Sequence, residues 1–225
     1  MTRSFRDRVD AGRQLAKVVA GLGLPPDAIV LGLPRGGVPV AAEIARALDL
    51  PLDVLCVRKI GVPFQPELAM GAVASGGAVV RNAEVLAQLP DAEADFANVL
   101  AQERIELERR ERLYRGPAAP LSIAGRAVVL VDDGLATGAT MEAAVRALQS
   151  MGAARIVVGV PVGAPDACDR IAAAADQVVC LVQPMHFASV GQWYDEFDQT
   201  QDAEVRNLLA EAARRRPAST CGPSC

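Results

Sequence analysis

Several things are missing from this 225-residue chain. There is no excess of positive charge: 23 Lys and Arg stand against 27 Asp and Glu, a net charge of −4. That balance argues against a nucleic-acid partner, since nucleic-acid binders carry a basic footprint. A local anion site stays open, because it needs only a few donors. No apolar run is long enough to cross a bilayer, and the first residues (MTRSFRDRVDAG) lack the apolar stretch of a signal peptide. No membrane partner is therefore expected, and the expected compartment is cytoplasmic. The Gly-Lys-Ser/Thr phosphate loop and the G-x-G-x-x-G dinucleotide fingerprint are both missing, and no internal repeat is evident. Aromatic residues make up only 4% of the chain, so any concentration of them stands out.

Cysteine is sparse. Cys56, Cys168 and Cys180 sit in or beside apolar patterns and read as small buried hydrophobes. Cys221 and Cys225 lie in CGPSC, which has no second half to complete a zinc site; residues 217–225 are expected to form a flexible tail.

What the chain does have is a 51% hydrophobic composition rich in Ala, Val and Leu, suited to helices packed on a parallel sheet. Its length fits one full α/β domain, taken as residues 1–216. One stretch, AVVLVDDGLATGAT, organises the rest. Ala127 to Val131 is a short β-branched run that reads as a strand buried on both faces. It stops at two carboxylates, Asp132 and Asp133. A small-residue loop follows, containing Ala136, Thr137, Gly138, Ala139 and Thr140, and then a helical pattern from Met141 to Leu148. Free loop amides and a helix N-terminus favour phosphate, the threonines add hydroxyl donors, and the carboxylates can accept from a sugar diol. An ordinary βα turn explains the glycines but not the acidic pair beside an anion-receptive loop.

This stretch resembles the phosphoribosyl-diphosphate signature of the type I phosphoribosyltransferases: hydrophobic strand, two acidic residues, then Thr-Gly-x-Thr. The resemblance implies a doubly wound, mostly parallel α/β sheet with helices on both faces, a small hood over the base (about 183–200) and an insertion (about 62–116). It implies that Asp132 and Asp133 hold the ribose hydroxyls, that Ala136 to Thr140 cradle the 5′-phosphate, and that magnesium is the cofactor. The metal would meet Asp132 and Asp133 mainly through sugar hydroxyls and water. The implied activity is transfer of ribose 5-phosphate from phosphoribosyl diphosphate to a nitrogenous base, in nucleotide salvage or related metabolism. A weakly catalytic regulator on the same fold is the alternative. Enzymes for hypoxanthine and guanine carry an Asp where this chain has Ala136, which argues against a 6-oxopurine acceptor.

Taken in order, Phe5 to Gly21 reads as an amphipathic helix. A strand at 28–33 runs into Pro34-Arg35-Gly36-Gly37 and a helix from about Val38 to Leu48, a second strand–loop–helix unit. Ligands of open parallel sheets bind at such strand ends. In the resembled family this loop binds pyrophosphate, a role that Arg35, Gly36 and Gly37 fit. Leu52 to Val57 reads as one strand ending in Arg58-Lys59, which are either diphosphate contacts or a solvated strand end. Gly61 to Pro66 breaks regular structure, where the family has a mobile loop, and Glu67 just after it is a candidate for proton transfer. A hairpin is expected about Ser75-Gly76-Gly77. A charged helix with a partial apolar stripe (Phe96, Val99, Leu100, Ile105 and Leu107) is expected from Asp91 to Tyr114, a solvated structural helix with a second subunit of a homodimer as a candidate packing partner. Strands at 155–162 and 177–182 follow, then a final helix from Asp202 to Arg216. Pro184 to Thr200 holds the only His and the only Trp. Phe187, Trp193 and Tyr194 there are either a platform for the base or a satellite core fastening the C-terminus.

Overall fold

The computed structural model describes residues 4–215; the Cys221 and Cys225 tail lies outside them. The chain opens with α1 (Arg8–Val19), β1 (Ile29–Gly32), α2 (Gly37–Ala47) and β2 (Leu52–Val54). An antiparallel excursion follows: β3 (Val57–Val62), β4 (Gln65–Ala74), β5 (Val79–Arg81), a short α3 (Ala83–Leu86) and the long α4 (Ala92–Arg115). The chain then returns through β6 (Ala127–Val131), α5 (Ala139–Ser150), β7 (Arg155–Val162), α6 (Pro165–Ala172) and β8 (Gln177–Val182), and closes on α7 (Asp202–Arg215).

β2, β1, β6, β7 and β8 pair in that order, all parallel. Side chains alternate across the sheet, and the alternation builds two cores. Val30, Val129, Val131 and Val157 point to one face, against Leu15 and Val19 of α1, Val40 and Ile44 of α2, and Ala212 of α7. Ile29, Leu31, Val128, Leu130 and Val158 point to the other, against Met141, Val145 and Leu148 of α5 and Ile171 of α6. Both faces being covered, the strands are continuous apolar runs, as a parallel sheet requires. This is the doubly wound α/β architecture with helices on both faces. No helix among the described residues is long and apolar enough to cross a membrane.

The expected strand at 52–57 is in fact two. β2 stops at Val54; Leu55 N–H still donates to the Gly32 carbonyl (3.1 Å), but Cys56 N–H donates to Ser75 Oγ (2.9 Å). From Val57 onward the chain pairs with β4, not β1. Residues 61–66, expected to lack regular structure, narrow to a two-residue turn at Pro63-Phe64 between β3 and β4. The antiparallel sheet buries Ile60, Met70 and Val73 against Phe96, Leu107 and Tyr114. α4 is also tied to the parallel sheet: the Arg115 guanidinium, 8% exposed, meets Asp53 of β2 at 2.8 Å and Glu111 at 2.8 Å. Pairing is what makes those buried charges tolerable.

Between β8 and α7 a 3-10 turn at Val190–Trp193 seats a small separate core of Phe5, Ala11, Val162, Trp193 and Tyr194. Phe5 N–H donates to the Trp193 carbonyl (2.8 Å), and Asp195 N–H to the Phe5 carbonyl (2.9 Å). This core fastens the segment after β8 to the start of the chain.

Candidate functional site

The sheet ends β6 at Val131, and the two carboxylates sit just past it in different surroundings. Asp132 Oδ1 accepts from the Asp133 N–H at 2.9 Å. Asp133 Oδ2 accepts from Arg8 Nε at 2.8 Å. Arg8 is itself held, donating to the Asp198 carbonyl (2.7 Å) with its guanidinium 3.9 Å from the centre of the Phe197 ring. The Tyr194 hydroxyl donates to the Asp133 carbonyl at 2.6 Å. Burial holds the Asp132 carboxyl well above the usual carboxylate range, and the Asp133 charge adds to the shift. Burial also raises Asp133, with Arg8 pulling the other way. Asp132 Oδ2 and Asp133 Oδ1 take no hydrogen bond from another residue among the described residues. Both acidic residues are partly exposed, which leaves these oxygens for a ligand.

Beyond the carboxylates the chain docks once more on the sheet. Leu135 N–H donates to the Val162 carbonyl (2.9 Å), and the Leu135 carbonyl accepts from Ala164 N–H (2.8 Å). The loop then turns outward. Ala136, Thr137, Ala139 and Thr140 are exposed. Gly138 stands at the N-cap of α5 with φ 74°, a left-handed conformation that favours glycine. Its carbonyl accepts from Glu142 N–H at 2.8 Å, but the N–H groups from Ala136 to Thr140 meet no protein acceptor among the described residues. Open amides at the positive end of a 12-residue helix are an anion receptor. Arg170 of α6 braces the loop by donating to the Thr137 carbonyl.

The loop after β1 lies directly alongside. Leu33 N–H donates to the Val131 carbonyl at 2.9 Å, and the Pro34–Arg35 peptide that follows is cis. A Cβ on Gly36 would fall 1.9 Å from Asp133 Oδ2; one on Gly37 would fall 2.5 Å from the Val131 carbonyl oxygen and 2.8 Å from Asp132 Cα. Only side-chain-free residues fit against the acidic pair. The Arg35 guanidinium lies 3.7 Å from Asp202 of α7 and is one-third exposed.

The structure thus brings Asp132, Asp133, Ala136 to Thr140 and Gly36-Gly37 together, with Arg35 in the same loop. Arg58 and Lys59 are not at a strand end of the parallel sheet; they lie inside β3, where Arg58 meets Glu103 of α4 at 2.6 Å. The physical reason is the switch of sheets after Val54. A concavity of about 600 Å³ borders Arg58, Lys59, Pro63 and Phe64, and another of about 440 Å³ lies between α4 and Gly76-Gly77. Neither is lined by Asp132 or Asp133. The Glu67 side chain lies outside the described residues. Of the two readings of the aromatic segment, the satellite core is the one observed for Trp193 and Tyr194, 7% and 6% exposed. They are buried because they roof the start of the chain, and Phe187 packs half-buried against them. Arg8 was not legible: it meets Asp133 across 125 positions of sequence, and nothing local marks it.

No group of three or more His, Cys, Asp or Glu side chains is arranged to hold a metal among the described residues. The acidic pair alone offers two accessible hard oxygens, and burial leaves its charge short of compensation. A magnesium ion that keeps several waters and shares ligand oxygens fits that donor set.

Residues 9–196 match the phosphoribosyl transferase domain family, and the chain belongs to it. Over 210 residues it is 49% identical to a protein of Mycobacterium tuberculosis that carries a provisional phosphoribosyl transferase name. That match covers 93% of this chain and 47% of the relative, so the chain spans about half the length of the curated relatives it matches. It also superposes on the crystal structure of TT1426 from Thermus thermophilus with a TM-score of 0.86 and 45% identity, covering 92% of this chain and 98% of that one.

Proposed function

We propose that this chain transfers ribose 5-phosphate from phosphoribosyl diphosphate to a ring nitrogen of a base, releasing pyrophosphate. The observation that carries the reading is the short span after β6: two carboxylates with free oxygens, then a run of unpartnered amides at the start of α5. A ribose diol suits the first and its 5′-phosphate the second, so one five-carbon sugar phosphate is gripped at both ends.

In the reaction the bond from ribose C1 to the pyrophosphate oxygen breaks through an oxocarbenium-like state, and the ring nitrogen forms the new bond to C1. The chain's part is to orient the sugar and to offset charge on the leaving group. Asp132 and Asp133 accept from the ribose hydroxyls and fix the ring. Arg8 and the Tyr194 hydroxyl hold Asp133 in place for that task. Gly36 and Gly37 let the diphosphate approach the backbone, and Arg35 offers a forked donor. Magnesium, when bound, supplies further charge neutralisation at the diphosphate, with Asp132 and Asp133 as its protein neighbours. Ala136, where an acid would serve a 6-oxopurine, points to another class of base.

The test is pyrophosphate release from phosphoribosyl diphosphate in magnesium buffer across purine, pyrimidine and pyridine bases. Release that depends on one class of base is expected. Tight binding of phosphoribosyl diphosphate with no release from any base would replace the enzyme by a ligand-sensing regulator. No binding at all would overturn both.

A further inference from the structure

A pair of thiols lies immediately behind the phosphate loop. Cys168 of α6 and Cys180 of β8 converge on the gap beside Gly163. A Cβ built there would lie 2.6 Å from Cys168 Sγ and 3.3 Å from Cys180 Sγ. Both are free thiols; Cys168 is 3% exposed, and Cys180 is half-buried. The Cys180 S–H donates to the Val182 carbonyl at 3.2 Å. Interaction between the two thiols draws Cys168 below the ordinary thiol value, while the same interaction and burial push Cys180 up. Cys168 is thus the more acidic thiol of the two, and the two sulfurs flank the same gap beside Gly163.

The surroundings connect this pair to the loop. Gly163 bridges to Leu135, where the loop begins. Cys168 lies two residues before Arg170, whose guanidinium braces the Thr137 carbonyl. Its helix neighbours Ala167 and Ile171 face Gly138. A disulfide fixes its sulfurs at about 2.05 Å in a specific geometry, so closing the bond ties α6 to β8 directly beneath these contacts.

We propose that Cys168 and Cys180 form a reversible disulfide, with a small peroxide as oxidant, and that it weakens binding at the phosphate loop. The consequence for binding rests on the function proposed above; the bond itself does not. The Cys168 thiolate attacks one peroxide oxygen, the O–O bond breaks, and a sulfenic acid forms as the other oxygen leaves and becomes water. Cys180 sulfur then attacks the Cys168 sulfur and forms the S–S bond. The sulfenic oxygen leaves with the Cys180 proton as a second water. Two thiols are oxidised by two electrons, one peroxide is reduced to two waters, and a reduced dithiol reverses the change by exchange.

The experiment treats the full chain with hydrogen peroxide, maps linked peptides without reduction, and titrates phosphoribosyl diphosphate into the oxidised and re-reduced protein by calorimetry. A Cys168–Cys180 peptide is expected, together with an affinity loss of about fivefold or more that a dithiol restores. Cys180→Ser and Cys168→Ser, each checked for folding by circular dichroism, should lose the link and keep their affinity after peroxide. No such peptide, or a link confined to Cys221 and Cys225, would overturn the proposal. A mapped link with unchanged affinity would overturn its coupling to the loop. If the chain binds no phosphoribosyl diphosphate in either state, the functional reading fails, and the peptide map still decides the bond.

Discussion

β1 and β6 lie side by side, and each is a buried apolar strand that runs through a glycine-bearing loop into a helix. After β1 the loop turns back on itself: Gly37 N–H donates to the Leu33 carbonyl (3.0 Å) and Val38 N–H to the Arg35 carbonyl (3.2 Å). After β6 the amides from Ala136 to Thr140 are left open. One loop spends the Gly37 and Val38 donors on its own turn and packs its glycines against the acidic pair, leaving the Arg35 and Gly36 N–H groups without a protein acceptor among the described residues; the other keeps its donors from Ala136 to Thr140 for an anion. The same strand–loop–helix plan thus yields a loop closed onto the carboxylates and a loop open to an anion. What separates them is two glycines in van der Waals reach of Asp132 and Asp133.

The comparison breaks most severely at Gly37. A methyl there meets the Val131 carbonyl and the Asp132 backbone, which cannot give way as a side-chain end can. Gly37→Ala should cost about 1–3 kcal/mol of stability, read by denaturant unfolding, and abolish detectable binding of phosphoribosyl diphosphate. Gly36→Ala sharpens the contrast, because the three atoms nearest its methyl all belong to the Asp133 carboxylate. Its loss of stability should be smaller than that of Gly37→Ala and no more than that of Arg8→Gln, since a side chain can turn aside, while affinity falls about 10- to 100-fold, about 1.4–2.7 kcal/mol by calorimetry. Equal damage to stability by both variants would contradict the contrast between a backbone contact at Gly37 and a side-chain contact at Gly36.

Arg8→Gln leaves Asp133 half-buried without its cation. A loss of about 2 kcal/mol in urea unfolding is expected, below the full value for a deeply buried pair because Asp133 can take up a proton. The smallest effect concerns Asp132. Its carboxyl titrates above the usual range, so the folded chain keeps a proton that the unfolded chain releases. Without ligand, stability should therefore fall as pH rises from about 4 through the raised value. Asp132→Asn should flatten that slope and gain about 1 kcal/mol near neutral pH, read as melting temperature against pH. A steeper slope in the variant would refute the account.

Much of this was legible along the chain. Ala127–Val131, Arg155–Val162 and Gln177–Val182 are strands with the bounds their apolar runs imply, because strands covered on both faces leave no polar interruption. The acidic pair and the loop after β6 were equally plain, being contiguous. The break after Val54 was hidden, since Leu55 and Cys56 are as buried as their neighbours and only the choice of hydrogen-bond partner separates the two sheets. For that reason Arg58 and Lys59, expected at the end of a core strand, lie inside β3 instead. Trp193 and Tyr194 could have served as platform or core, and what decides is Phe5, at the far end of the sequence. Arg8 is the general lesson: a residue that acts through a distant partner has no local pattern to betray it.

The most direct test is calorimetric titration of phosphoribosyl diphosphate in magnesium buffer into wild type and into a chain carrying both Asp132→Asn and Asp133→Asn. The account predicts a saturable heat for wild type and none for the variant, with circular dichroism unchanged. Equal affinity in the two proteins would contradict it.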